Sequence, residues 1–216
     1  MKLFLDTANL KEIDEINKWG VLDGITTNPS LLAKEGKIGF EAHVREICNL
    51  VDGPVSVEVT STNFSGILKE GREIASWAEN IVIKVPMTPD GLRAVSELRY
   101  DGIDTNVTLC FSPNQALLAA KAGARFVSPF IGRLDENGQD GMILIAEMVK
   151  IFQNYHFNTE ILVASVRHPR HVTEAAKLGA DAATIPFDSF KKLIGHPLTD
   201  SGLEKFLSDW KNAKIK

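Results

Sequence analysis

The sequence predicts an α/β protein. The expected architecture is a single (β/α)8 TIM barrel over residues 1–216 with an extra C-terminal helix at about 201–213. Three observations predict it. Short apolar or β-branched runs alternate with segments of helical periodicity from end to end. Polar residues stand near the C-terminal end of nearly every run, rather than at one switch point of an open sheet. No G-x-G-x-x-G follows the first run, and Gly66–Gly71 lacks a Gly-Lys-Ser/Thr ending, so neither nucleotide fingerprint of an open doubly wound sheet is present. About eight units leave roughly 27 residues each, short but adequate for a closed barrel.

The strands are expected at Leu3–Asp6, Gly24–Asn28, Val55–Thr60, Ile81–Met87, Thr105–Cys110, Phe126–Ile131, Glu160–Val166 and Ala182–Pro186. Helices begin at recognisable punctuation. Asn28-Pro29, Thr88-Pro89, Ser112-Pro113 and His168-Pro169 each read as an N-cap followed by proline at the first helical position. Helices end near Gly20, Gly102, Gly123 and Gly179. The helix after the second strand is interrupted around Gly36–Gly39 and resumes through Phe40–Val51. Ala119–Ala124 and Ala175–Ala180 echo one another, each leading through a glycine stop into a strand, as a regularly wound fold requires. Beyond the eighth unit, Leu203, Phe206, Leu207 and Trp210 recur at helical spacing.

Composition narrows the function classes. Twenty-four Lys and Arg against 28 Asp and Glu give a net charge of −4, and no basic run or interleaved aromatic stripe occurs, so nucleic acid is not the expected partner. No window approaches the ~18 apolar residues of a membrane span. The apolar run at the N-terminus is too short for a signal peptide, and Cys48 and Cys110 lie in apolar stretches without metal-ligand spacing. The expectation is a cytoplasmic protein with reduced cysteines. The five histidines offer no metal-ligand motif; only His168 and His171 are close in sequence, and no metal is expected.

The stretch Ile81-Val82-Ile83-Lys84-Val85-Pro86-Met87 carries the chemistry. It reads as a strand buried on both faces, with Lys84 on the side of Val82 and Pro86. Lys84 either extends its ammonium past the strand end to water or serves as a nucleophile. An amine must be neutral to attack a carbonyl, and at an unperturbed pKa near 10.4 roughly one lysine in 2,500 is neutral at pH 7. An apolar strand lowers that pKa by penalising the ammonium, which is how Schiff-base lysines are made. The other strand ends bring Asp6, Thr26, Asn28, Glu58, Asn106, Thr108, Ser128, Phe130, Arg133, Ser165 and Arg167. Each has a bland alternative. Asp6 and Asn28 are suited to helix caps, Glu58 to an ion pair with Lys84, Thr108 to an ordinary strand, and the arginines to solvated turns. Their joint placement points instead to imine chemistry. Asp6 and Glu58 would share proton transfers, and Arg133, Ser165 and Arg167 would hold a phosphate. A phosphorylated ketose fits that set.

Four motifs resemble the transaldolases: Leu5-Asp6-Thr7-Ala8, Gly24-Ile25-Thr26-Thr27-Asn28-Pro29-Ser30, Val82-Ile83-Lys84-Val85-Pro86 and Val127-Ser128-Pro129-Phe130-Ile131-Gly132-Arg133. The chain is similar throughout to the small microbial transaldolase group that also contains fructose-6-phosphate aldolases. The resemblance implies a class I aldolase barrel with no metal or organic cofactor. It implies transfer of a dihydroxyacetone unit from fructose 6-phosphate or sedoheptulose 7-phosphate to an aldose phosphate, in the pentose phosphate pathway. By this resemblance Lys84 is the Schiff-base lysine and Asp6 takes the proton from the C4 hydroxyl. Glu58 and Thr108 hold a catalytic water. Asn28, Asn106 and Ser128 bind the dihydroxyacetone moiety, Thr26 lies in the same motif, and Arg133, Ser165 and Arg167 grip phosphate. The related aldolases tend to carry glutamine and tyrosine where this chain has Glu58 and Phe130, so both positions resemble the transaldolase branch. The resemblance also implies a homo-oligomeric ring, often a decamer of two pentamers, with the C-terminal helix reaching a neighbour.

Overall fold

Phe4, Val82, Phe126, Leu162 and Ala182 turn inward from five strands and meet in one apolar cluster. Their rings and branches fill the barrel axis, with Phe4 edge-on to Phe126 at 5.8 Å between centroids. Side chains alternate along a strand, so the residue two places on points the same way, one layer higher. Those residues are Asp6, Lys84, Ser128, Ala164 and Thr184. An apolar plug thus supports a mostly polar layer at the C-terminal mouth, where such barrels build their sites. The plug has a sequence requirement on the second strand. A Cβ at Gly24 would lie 2.8 Å from the Phe4 ring, so glycine there makes room for the phenylalanine.

The computed structural model describes residues 1–36 and 39–213. Its strands are β1 (Lys2–Asp6), β2 (Gly24–Thr26), β3 (Val55–Glu58), β4 (Ile81–Pro86), β5 (Thr105–Cys110), β6 (Phe126–Pro129), β7 (Glu160–Val163) and β8 (Ala182–Pro186). They are all parallel, pair in sequence order and close through β1 and β8, with Phe4 opposite Thr184 and Asp6 opposite Pro186. The helices are α1 (Leu10–Asn17), α2 (Pro29–Lys34), α3 (Phe40–Leu50), α4 (Phe64–Ala75), α5 (Pro89–Tyr100) and α6 (Pro113–Ala122). There follow α7 (Ile131–Glu136), α8 (Gly141–Tyr155), α9 (Pro169–Leu178), α10 (Phe187–Lys191) and α11 (Pro197–Asn212). The predicted barrel and its additional C-terminal helix are both present.

β1, β5 and β8 end where the apolar runs suggest, and the other five strands stop short of them. β7 stops at Val163 rather than Val166, because Ser165 takes a left-handed backbone (φ 61°) that cannot continue a ladder. β5 carries a register shift between Val107 and Cys110, where Leu109 also has a positive φ of 58°. The caps at Asn28, Thr88 and Ser112 form as expected, each side chain accepting a backbone N–H of its helix. His168 starts α9 without a side-chain capping bond. Gly123 and Gly179 close α6 and α9 in the left-handed conformation. The interruption expected near Gly36–Gly39 separates α2 from α3; Lys37 and Ile38 within it lie outside the described residues.

The C-terminal helix begins at Pro197, ahead of the expected residue 201. Proline suits the first helical position, and the His196 ring accepts the Leu198 N–H at 3.1 Å in place of a conventional cap. No residue of α11 is buried: Leu198, Leu203, Phe206, Leu207 and Trp210 are all exposed. Among the described residues no helix is long and apolar enough to cross a membrane.

Candidate active site

Lys84 occupies the polar layer directly above Val82 and is only 5% exposed. Its ammonium donates to the Thr27 carbonyl at 3.1 Å and lies 3.0 Å from Glu58 Oε2. The Thr27 carbonyl is itself fixed, because the N–H and hydroxyl of that residue both donate to Ser56 O at 2.9 Å. The lysine is therefore not extended to bulk water. It is anchored by one neutral and one charged acceptor inside the barrel, and the Glu58–Lys84 ion pair anticipated as a structural alternative does form.

Asp6 enters the same layer from β1. It accepts the Thr26 hydroxyl at 2.8 Å, and Thr26 in turn lies 2.6 Å from the Thr184 hydroxyl on β8, the strand on the other side of β1. Burial pushes the Asp6 carboxyl above the usual carboxylate range; the Lys84 ammonium, the Thr26 hydroxyl and, more distantly, Arg167 and Lys34 pull against it. A carboxyl raised in this way is suited to exchange protons with substrate rather than remain a fixed anion.

A cavity opens over this layer in two lobes. The inner one, about 150 Å3, is lined by Asp6, Thr26, Lys84, Thr184 and Ser128 at its base and by Phe130, Arg133, Ser165 and Arg167 toward solvent. The outer one, about 450 Å3, adds Glu58, Thr108, Leu109, Ser30 and Lys34. Asn28, Lys84, Phe130 and Arg133 border both. Asn28 caps α2 through its Oδ1, which accepts Leu31 N–H at 2.9 Å, and also lines the cavity. Capping and facing the cavity are compatible because they use different atoms of one amide.

Every residue expected at the site lies on this cavity except Asn106. Asn106 is fully buried, in register with Lys84 on the neighbouring strand. Its amide donates to Ser56 Oγ at 3.1 Å and accepts the Ser128 hydroxyl at 2.8 Å, so it holds Ser128 in place. Thr108 Oγ1 and Ser165 Oγ are buried and have no hydrogen-bond partner among the described residues. Buried hydroxyls are almost always paired, so two orphans on one cavity wall point to partners supplied from outside.

Arg133 and Arg167 reach the outer rim from different βα loops. The Arg133 guanidinium lies 4.9 Å from the centroid of the Phe130 ring, and Phe130 is edge-on to Phe111. Arg167 Nε is 2.9 Å from Glu136 Oε1. The two loops meet at Gly132, whose N–H donates to Ser165 O at 3.2 Å. A Cβ at Gly132 would overlap that carbonyl oxygen and come within 2.9 Å of Arg167 Cγ, so the close approach requires glycine. The resulting site has a buried amine and two carboxylates at its base and two free-ended guanidinium forks at its rim.

Sequence reasoning missed Lys34 as a wall residue and Leu109 as part of the outer lobe, and it leaves Thr184, at the end of the eighth strand, without a role. Thr184 was visible as the only hydroxyl near the end of the eighth strand. Lys34 carried no signal beyond standing six residues after Asn28 on a short helix.

Known proteins resemble the chain over nearly its whole length. The family described as "Transaldolase/Fructose-6-phosphate aldolase" matches residues 3–216. A "probable transaldolase" of Methanococcus maripaludis is 60% identical over 210 residues, covering 97% of each chain, and one of Methanococcus vannielii matches to the same extent. A "probable transaldolase" of an Anaeromyxobacter species is also 60% identical, covering 97% of this chain and 96% of its own. Among solved structures, a thiamine phosphate pyrophosphorylase from Pyrococcus furiosus superposes with a TM-score of 0.62 over 89% of this chain and 93% of its own. At 13% identity that likeness concerns the fold alone. The chain belongs to the transaldolase/fructose-6-phosphate aldolase family.

Proposed function

We propose that this family member is a transaldolase. It transfers a dihydroxyacetone unit from fructose 6-phosphate or sedoheptulose 7-phosphate to an aldose phosphate through a Schiff base on Lys84. The observation that carries the reading is the amine itself: buried in the barrel, held by the Thr27 carbonyl and Glu58, and facing a cavity whose other end presents Arg133 and Arg167.

The chemistry follows from the neighbours. Lys84 adds to the ketose C2 carbonyl to give a carbinolamine, which loses water to form the imine. Glu58, 3.0 Å from the amine, moves the proton for that dehydration, with a water held between it and the unpaired Thr108 hydroxyl. Asp6 then takes the proton of the C4 hydroxyl as the C3–C4 bond breaks, and the electron pair is stored in the enamine. Thr26 steadies the Asp6 carboxylate while it is charged. Asn28 and Ser128 hydrogen-bond the hydroxyls of the three-carbon unit, with Asn106 fixing Ser128. Arg133, Arg167 and the unpaired Ser165 hydroxyl bind the phosphate. When the aldose phosphate leaves and another enters, the enamine attacks its aldehyde and the steps run in reverse.

Phe130 favours transfer over release. It borders both lobes beside Lys84 but has no hydroxyl with which to protonate the enamine, so the three-carbon unit waits for an acceptor. The enzyme should form sedoheptulose 7-phosphate from fructose 6-phosphate and erythrose 4-phosphate, and release little dihydroxyacetone from fructose 6-phosphate alone. Rapid release without an acceptor would make it a fructose-6-phosphate aldolase instead. Phe130→Tyr should raise cleavage at the expense of transfer; an unchanged ratio of the two products would contradict the role given to Phe130.

Work in the cytoplasm, in the pentose phosphate pathway, agrees with the unpaired buried Cys48 and Cys110 and with the substrates proposed. Assembly into a homo-oligomeric ring agrees with the uncovered apolar face of α11.

A further inference from the structure

The His168-Pro169-Arg170-His171 turn has no part in the chemistry above, yet His171 is nine-tenths buried and fully engaged. Its Nδ1 accepts the backbone N–H of Arg167 at 3.3 Å. Its Nε2 lies 3.0 Å from Asp135 Oδ2, on α7, the helix that carries Arg133. The other oxygen of Asp135 accepts the Gly141 N–H at 2.9 Å, which fixes the carboxylate. A backbone N–H can only donate, so Nδ1 must be the bare nitrogen and Nε2 must carry the proton. That proton faces a carboxylate. One tautomer therefore satisfies both neighbours.

The charged groups facing the ring are Asp135 from α7, with Arg167 and His168 from the loop before α9. The His168 ring lies against it at 3.8 Å between centroids. Burial, helped by His168 and opposed by Asp135, holds His171 below the usual histidine range and so keeps it neutral. The Arg167 carbonyl is also held, by the Ser189 hydroxyl at 3.2 Å, so the backbone is tied on both sides of the Arg167 Cα.

We propose that His171 and Asp135 are positioning residues for the phosphate grip: the imidazole bridges α7 to the Arg167 backbone and so sets the spacing between Arg133 and Arg167. This rests on the phosphate-binding role given above to those arginines. The two forks come from different loops, and a bidentate grip on one phosphate needs their separation fixed before the ligand arrives. Ile131 and Gly132 donate their backbone N–H groups to Ala164 O and Ser165 O, both at 3.2 Å, and Arg167 Nε meets Glu136; the His171–Asp135 strut adds the tie from α7 to the Arg167 backbone N–H itself.

The test compares the wild-type enzyme with His171→Ala and His171→Asn. Asparagine places its Oδ1 where Nδ1 accepts, so it restores the bond from Arg167 without restoring the ring. Affinity for inorganic phosphate should fall about tenfold in His171→Ala and stay within about threefold of that low value in His171→Asn, because the shorter amide leaves Asp135 unbridged. The KM for fructose 6-phosphate should rise by the same factor with little change in kcat. The concentration of dihydroxyacetone that half-saturates borohydride-trapped protein should not move, because that ketone carries no phosphate. Unchanged phosphate affinity in His171→Ala, recovery to wild-type affinity in His171→Asn, or an equal effect on dihydroxyacetone would each overturn the proposal. Wild-type protein that binds phosphate with the predicted His171 dependence but traps no ketone would overturn the Schiff-base reading and leave the strut standing.

Discussion

At the scale of single residues, the account turns on two ionisable groups in one polar layer. Asp6 is raised by burial, so it must ionise before it can accept the C4 proton. The kcat/KM profile should therefore lose activity on the acid side at a pH above the ordinary aspartate range, and Asp6→Asn should lower kcat about 10²–10⁴-fold and abolish that limb. Stability should move the other way. A carboxyl with a folded-state pKa above its unfolded value destabilises the fold when ionised, fully so above the folded pKa, and the penalty vanishes below the unfolded pKa. Asp6→Asn should thus melt higher than wild type at pH 7, with the gain shrinking as the pH falls into the aspartate range; thermal melts across that window check the sign. Much of this layer was legible in the sequence, because alternation puts Asp6 over Phe4 and Lys84 over Val82. The same alternation cannot tell a side chain that faces the cavity from one whose amide is taken up by its neighbours, as that of Asn106 is by Ser56 and Ser128. Ser165 and Leu109 owe their positions to left-handed backbone that no residue type there announces.

At the scale of elements, the mouth depends on where strands stop. The apolar runs overstate β2, β3, β4, β6 and β7, since a run records burial and not pairing, and several residues just past the ladders remain buried while their backbone turns into the site. Thr27, Val59 and Val166 are of this kind. Pro86 does end β4 as its missing N–H requires. The junction of α7 with the loop after β7 is the tightest of these contacts. Gly132→Ala should destabilise the protein by about 1–3 kcal/mol, because the new methyl meets a backbone oxygen rather than a flexible side chain, and it should weaken phosphate binding as well. Denaturant unfolding together with phosphate titration measures both; wild-type stability in that variant would contradict the close approach. The start of α11 at Pro197 lies ahead of the sequence reading because that reading followed the apolar spacing from Leu203 to Trp210, although His196-Pro197 repeats the His168-Pro169 pattern that starts α9.

At the scale of the whole molecule, an apolar plug closes the barrel below while the polar layer above faces an open cavity, and α11 stands off with Leu203, Phe206, Leu207 and Trp210 uncovered. Light scattering should give a mass several times the 23.7 kDa chain, and Phe206→Glu combined with Trp210→Glu should shift it toward smaller species. A wild-type monomer would remove the ring from the account without touching the chemistry. The chemistry stands or falls on one covalent bond. Protein incubated with fructose 6-phosphate, reduced with borohydride, digested and weighed should carry a sugar-derived adduct on Lys84, and Lys84→Met should carry none and be inactive. Absence of any adduct in the wild type, with Lys84→Met still transferring the three-carbon unit, would contradict the account.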